Sequence, residues 1–267
     1  MADYITIIVE RQAGVLILTL NRPDTLNALN QKLLHEASEV IEQASIDDNV
    51  KVLVITGAGR GFSSGADLAP PAPGEDPPPA ATRRTKLTPF GRFGRLALAI
   101  SNCPKPIIVA VNGACVGGAF GMALGCDIRI ASDKAKFSAI FVRRGLHPDC
   151  GITYHLPRIV GPGKALELCM TGDMIDAYEA EKLGIVNRVV SHDQLMTTTM
   201  ELANRLANGP SIVIELTKQA IYHSYTADFE TQLGFEGWCQ NICTASADVQ
   251  EGRKAFLEKR DPVFRGE

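Results

Sequence analysis

Two stretches of this 267-residue chain, Lys51–Thr56 (KVLVIT) and Ile107–Val111 (IIVAV), are apolar at nearly every position, and each runs into a glycine-rich turn. A strand with one face in water alternates polar and apolar residues, whereas a strand apolar throughout is buried on both faces, as in a parallel sheet covered by helices. That pattern restricts the chain to an α/β fold in which strand, turn and helix succeed one another. The neighbouring sequence keeps the rhythm. Tyr4–Glu10 and Gly14–Leu20 read as two strands joined through Arg11–Gly14. Leu33, Leu34, Ala37, Val40 and Ile41 recur at helical spacing within Asn30–Ala44. Further on, the reading gives a helix over 82–102, a small-residue helix ending at Gly125 and a strand at Asp127–Ala131. From Asp149 onward the pattern is almost entirely helical, near 162–171, 176–183, 192–208, 210–223, 228–244 and 248–259. One strand interrupts it at Ile185–Val190, and Asp248 with Glu251 resembles a capping box. Six prolines between 70 and 79 exclude helix and central strand there, so 69–90 is expected to be a variable surface loop, mobile without ligand. The expected organisation is a continuous core over 1–195 and a helical C-terminal region over 196–267.

Charge excludes some functions. With 27 Lys and Arg against 30 Asp and Glu the net charge is −3, which leaves no basic footprint for nucleic acid. Purely apolar runs span only a handful of residues, and the start lacks a basic region followed by an apolar one, so neither membrane nor export is expected. Seven cysteines, with no Cys-x-x-Cys, predict neither a disulfide framework nor a metal site and suit a reducing cytoplasm.

Several glycine turns invite a nucleotide reading and fail it. Gly57-x-Gly59-x-Gly61 is followed by Phe62 rather than the spacing of the dinucleotide fingerprint, and Val160–Lys164 lacks the first glycine and the Ser/Thr of a phosphate loop. His-Glu-x-x-His does not occur. What remains is a pair of strand-to-helix turns, Gly61–Leu68 and Gly113–Ala119. A helix start presents unpaired N–H groups and the positive end of its dipole, so two such turns brought together can aim two donors at one developing oxyanion, as a thioester enolate requires. The plainer reading is that small residues let helices approach the sheet closely.

At these residues the sequence resembles the crotonase superfamily, the enoyl-CoA hydratase/isomerase family. The matching pieces are Leu20-Asn-Arg-Pro-Asp-x-x-Asn-Ala-Leu29, Gly61-Phe-Ser-Ser-Gly-Ala-Asp-Leu68, Lys105-Pro-Ile-Ile-Val-Ala-Val-Asn-Gly113 with Gly117-Gly118, and Asp127-Ile-Arg-Ile-Ala131. They continue through Lys136-Phe137, Gly145-Leu-His-Pro-Asp149-Cys-Gly151, Leu156–Gly161 and Ala180–Asn187. The resemblance implies a spiral of ββα units with a helical C-terminal region that trimerises, as a homotrimer or dimer of trimers. It implies an acyl-CoA substrate, with coenzyme A present only as part of the thioester and no further cofactor. By position the oxyanion donors would be the backbone N–H groups of Ala66 and Gly118. Arg22, Ala66, Leu68, Phe256 and Lys259 fall where the family meets coenzyme A, the last two often across a subunit boundary. For Arg22 and Lys259, surface solvation is the plainer reading.

Typical hydratases of the family place two glutamates across the thioester; here those positions are Gly121 and Phe141. Water addition needs one group to activate water and one to manage the proton at the α-carbon, so the loss of both argues against hydration by that route. Asp149 is the remaining carboxylate and looks like the Pro-Asp-x-Gly aspartate that is the base in several of the family's isomerases. The leading expectation is therefore an acyl-CoA double-bond isomerase of the Δ3,Δ2-enoyl or phenylacetate-pathway type. Alternatives are an atypical hydratase, an aspartate-nucleophile dehalogenase, which would lack its helical histidine at Gly94, and a non-catalytic acyl-CoA binder. Asp149 can also be read as the N-cap of a helix beginning near Cys150. A helix start would lower its pKa and an apolar wall including Phe141 would raise it.

Overall fold

The computed structural model describes residues 4–69 and 90–266. The chain opens with a hairpin of β1 (Ile7–Gln12) and β2 (Val15–Leu20). Ala13 and Gly14 between them both have positive φ, 46° and 83°, the geometry of a two-residue turn whose twist matches that of the strands. Helix α1 (Gln31–Ile46) starts where the Asn30 side chain accepts the Leu33 N–H at 2.9 Å. Strand β3 (Val52–Gly57), helix α2 (Gly91–Asn102) and strand β4 (Ile107–Val111) follow.

Two strands shorter than any sequence period come next, and they create the ββα repeat. After β4 the chain forms β5 (Ala114–Val116) and then helix α3 (Gly118–Gly125). After β6 (Ile128–Ser132) it forms β7 (Lys136–Ser138), a 3-10 turn at Ile140–Arg144 and helix α4 (Ile152–Thr171). Then come β8 (Ile175–Asp176), α5 (Ala177–Lys182) and β9 (Arg188–Val190). The long strands make one sheet in the order β1-β2-β3-β4-β6-β9, parallel from β2 onward, and β5-β7-β8 make a second. Before α3 and again before α4 the chain thus passes from the large sheet to the small one, the arrangement of the crotonase fold.

Both faces of the large sheet are buried, as the apolar strands demand. Leu53, Ile55, Ile107 and Val109 point into the main core with α1, α2 and α3, while Val52, Val54, Ile108 and Ala110 meet Leu195 and Ala203 of helix α6 (Leu195–Ala207) on the other side. Helices α7 (Ser211–His223), α8 (Phe229–Ala245) and α9 (Ala247–Glu258) complete the C-terminal region. Helix α7 is tied back to the sheet at Asp127, whose carboxylate accepts the Ile107 N–H at 2.7 Å, the Tyr222 hydroxyl at 2.9 Å and the Lys218 ammonium at 2.8 Å.

Three expectations are corrected. No helix follows Gly61 within 61–69; this segment runs extended, bridging singly to Leu29 and Cys115. The helix expected over 162–171 begins at Ile152 and is broken at Gly161, where φ 78° and ψ 159° interrupt it beside Pro162. Asp248 and Glu251 do not form a capping box: the Asp248 carboxylate accepts the Arg265 and Gly266 N–H groups, and Glu251 pairs with Arg260, because the returning C-terminal tail offers partners that local spacing hides. The helix expected over 82–102 is described only from Gly91, and the proline-rich stretch lies outside the described residues. Among the described residues no helix is long and apolar enough to cross a membrane, and no group of three or more His, Cys, Asp or Glu is placed to hold a metal.

Candidate active site

The extended segment 63–67 is held on both sides by backbone rungs. Ser63 donates to the Ala114 carbonyl at 2.8 Å and accepts the Val116 N–H at 3.1 Å, while across the segment Leu29 N–H reaches the Gly65 carbonyl at 2.7 Å and Asp67 N–H the Leu29 carbonyl at 3.2 Å. Ser64 N–H goes to the Leu26 carbonyl and Gly65 N–H to the Ser63 hydroxyl. Among the described residues the Ala66 N–H is left without an acceptor.

The second turn meets the first directly. Gly65 has φ +89°, and a Cβ there would stand 2.6 Å from the Val116 carbonyl oxygen; a Cβ on Gly117 would lie 3.9 Å from the Gly65 Cα. Only glycine permits that contact. Gly117 N–H is taken by the Ser138 carbonyl at 2.9 Å, so the next donor, Gly118 N–H at the first turn of α3, is likewise unpaired among the described residues. The helix argument therefore holds for Gly118 and not for Ala66, whose N–H is freed by strand alternation. At the other end of α3, Arg129 bonds the Leu124 and Cys126 carbonyls, a cation at the negative end of the same dipole.

A brace that sequence reasoning missed fixes the first donor. Asn27, fully buried with φ 54°, donates from its amide to the Ala58 and Gly61 carbonyls, each at 2.9 Å, and accepts the Arg22 N–H at 2.8 Å. Arg22 is mostly buried and directs one guanidinium nitrogen to the Ala28 carbonyl at 2.6 Å and to Asp67 at 2.7 Å, beside Ala66. Neither side chain is a free surface group. An Asn inside a turn sequence is the only signal that could have marked this role.

Asp149 does not cap α4. That helix starts at Ile152, its N-cap residue is Gly151, and no side chain caps it. Cys150 and Gly151 both adopt left-handed backbone, φ 53° and 80°, which delays the helix, and the Asp149 carboxylate bonds none of its first N–H groups. The carboxylate accepts no side-chain or backbone bond from another described residue, and it forms no ion pair among them. Although exposed at its tip, it is crowded enough for desolvation to raise its pKa above the ordinary aspartate value, against the opposing charge of His147.

This turn is pressed onto α3 at Gly121, where a Cβ would meet the Cys150 carbonyl oxygen at 2.6 Å and the Cys150 Cβ at 2.9 Å. Gly121 thus lies under the Asp149 turn, one helical turn from Gly118, and a larger side chain there would displace it. Phe141, buried on the 3-10 turn, sets its Cζ 4.0 Å from where a Gly117 Cβ would stand. Of the polar side chains near Asp149 in sequence, Arg143 pairs with Asp173, and His155, its pKa lowered by burial, packs edge-on to Tyr154 and against Gly151. Leu68 is exposed next to the first turn; Phe256 and Lys259 lie at the exposed end of α9, away from these turns in sequence and in packing. The structure therefore brings Ala66, Gly118, Asp149 and Arg22 to one region and leaves Phe256 and Lys259 outside it.

The fold is a ββα spiral in which two N–H groups unpaired among the described residues lie on adjoining turns, with the Asp149 turn packed on the same helix one turn from Gly118. The chain belongs to the enoyl-CoA hydratase/isomerase family, whose model matches residues 10–267. It is 40% identical over 267 residues, the whole of both chains, to the 1,2-epoxyphenylacetyl-CoA isomerase of Escherichia coli (strain K12). It is 38% identical over 257 residues, 95% of both chains, to the short-chain-enoyl-CoA hydratase of Clostridium acetobutylicum. A crystal structure of an enoyl-CoA hydratase from Bacillus anthracis superposes with a TM-score of 0.88 at 31% identity, covering 98% of this chain and 100% of that one.

Proposed function

We propose that this protein is an acyl-CoA double-bond isomerase with Asp149 as its base. The observation that supports the reading is that Asp149, whose carboxylate caps no helix and forms no ion pair among the described residues, precedes Cys150, which packs on Gly121 one helical turn from Gly118. With a 3-enoyl thioester, Asp149 takes the proton from C2. The electron pair delocalises into a dienolate whose oxygen accepts the two N–H bonds, and the protonated Asp149 returns the proton to C4, leaving the double bond at C2. Nothing is gained or lost, so one carboxylate is enough. Hydration needs a second group, and Gly121 and Phe141 supply none. The name of the E. coli relative supports a ring-epoxide thioester as an equally suitable substrate.

In this reading Ala66 and Leu68 border the thioester end of coenzyme A, Arg22 offers phosphate the N–H groups left over from Asp67, and Phe256 and Lys259 serve a neighbouring subunit of a homotrimer or dimer of trimers in the cytoplasm. Hydration is the second reading, favoured by the names of relatives such as the Clostridium enzyme. The test is Asp149→Asn assayed with a 3-enoyl-CoA by the absorbance of the conjugated product. Turnover should fall by about 10²- to 10⁴-fold, and a variant as fast as wild type would remove Asp149 from the mechanism.

A further inference from the structure

Two aromatic rings from different elements close on the Gly117-Gly118 turn. Phe93 of α2 places Cε1 and Cδ1 at 2.6 and 2.9 Å from where a Gly118 Cβ would stand, and Phe141 reaches within 4.0 Å of the corresponding point on Gly117. A Cβ at 118 would force the Phe93 ring to move, so ring and glycine pack as a matched pair. The two rings are held differently. Phe141 is buried in a 3-10 turn whose carbonyl accepts the Leu146 N–H at 3.0 Å. Phe93 is only half-buried against the core, which leaves part of its surface free to meet a ligand.

A thioester whose oxygen rests on the Gly118 N–H lies at the turn on which these rings close. Aromatic faces and edges gain from contact with another unsaturated ring beyond what area burial gives, whereas a saturated chain obtains only the area. Resting on the reading that the thioester carbonyl sits on the Ala66 and Gly118 donors, we infer that Phe93 and Phe141 form a slot for acyl groups bearing an unsaturated ring within one or two carbons of the thioester. Phe93 is its specificity-determining wall.

The experiment measures binding alone, by calorimetry with phenylacetyl-CoA and hexanoyl-CoA, neither of which has a double bond to shift in the chain. Wild type should prefer the ring thioester. Phe93→Leu should reduce that preference by about 2- to 10-fold, and Phe93→Tyr should restore it, which a packing role alone would not require. Phe141→Leu, read the same way, serves should Phe93→Leu not fold. A ratio unchanged by either leucine variant overturns the slot. Wild type that binds both thioesters alike overturns it while leaving the acyl-CoA reading intact; wild type that binds neither overturns both.

Discussion

At Asp149 the chain keeps a carboxylate where folding disfavours its charge. Its pKa is raised by burial, so the folded state binds a proton more tightly than the unfolded chain does, and the charged form costs stability once pH exceeds the ordinary aspartate range. The sign gives two outcomes. Asp149→Asn should melt at a temperature equal to or above wild type at neutral pH, a gain that calorimetry can read, while losing activity. In wild type kcat/KM should fall as pH drops through a value above 3.8, and the residual activity of the asparagine variant should show no such limb. Gly121→Ala should act through position rather than chemistry: the added Cβ, 2.6 Å from the Cys150 carbonyl, shifts the Asp149 turn. We expect kcat to fall by about 10²-fold with little change in KM. The aspartate itself was legible in the sequence through its resemblance. Its freedom from capping was not, because that depends on Cys150 adopting φ 53°, a conformation its residue type does not announce.

The elements divide the same way. Strands β3 and β4 are visible because burial on both faces leaves an uninterrupted apolar run; β5, β7 and β8, two or three residues each, are too short to carry a period. Yet β5 is what aligns the two donors, since its rungs to Ser63 fix the segment leading to Ala66. Gly65→Ala, strained at φ +89° and blocked by the Val116 carbonyl, should misplace that donor and lower kcat by about 10²- to 10³-fold. Helix α7 depends on a charge pair instead. Lys218, with only a tenth of its side chain exposed, bonds Asp127 and the Lys105 carbonyl. Lys218→Ala leaves Asp127 unpaired and should cost about 3 kcal/mol in a urea melt; a loss below about 1 kcal/mol would show that water replaces the pair.

For the whole molecule, the C-terminal helices leave Phe229, Trp238, Phe256 and Leu257 exposed, the last two at 82% and 79%. Apolar surface of this kind is the mark of an interface. A homotrimer or dimer of trimers, as proposed above, would cover it; light scattering should then give three or six chain masses, and a monomer at micromolar concentration would contradict the assembly proposed for Phe256 and Lys259. In the proposed reaction a proton moves between carbons and no water adds. Its most direct measurement is the mass spectrum of the product formed from a 3-enoyl-CoA in water enriched in both deuterium and oxygen-18. Wild type should give a product with no heavy oxygen and little deuterium, because Asp149 carries the C2 proton itself to C4, and Asp149→Asn should lose the formation of that product. Oxygen-18 incorporated at wild-type rate by that variant would make this protein a hydratase whose groups lie elsewhere.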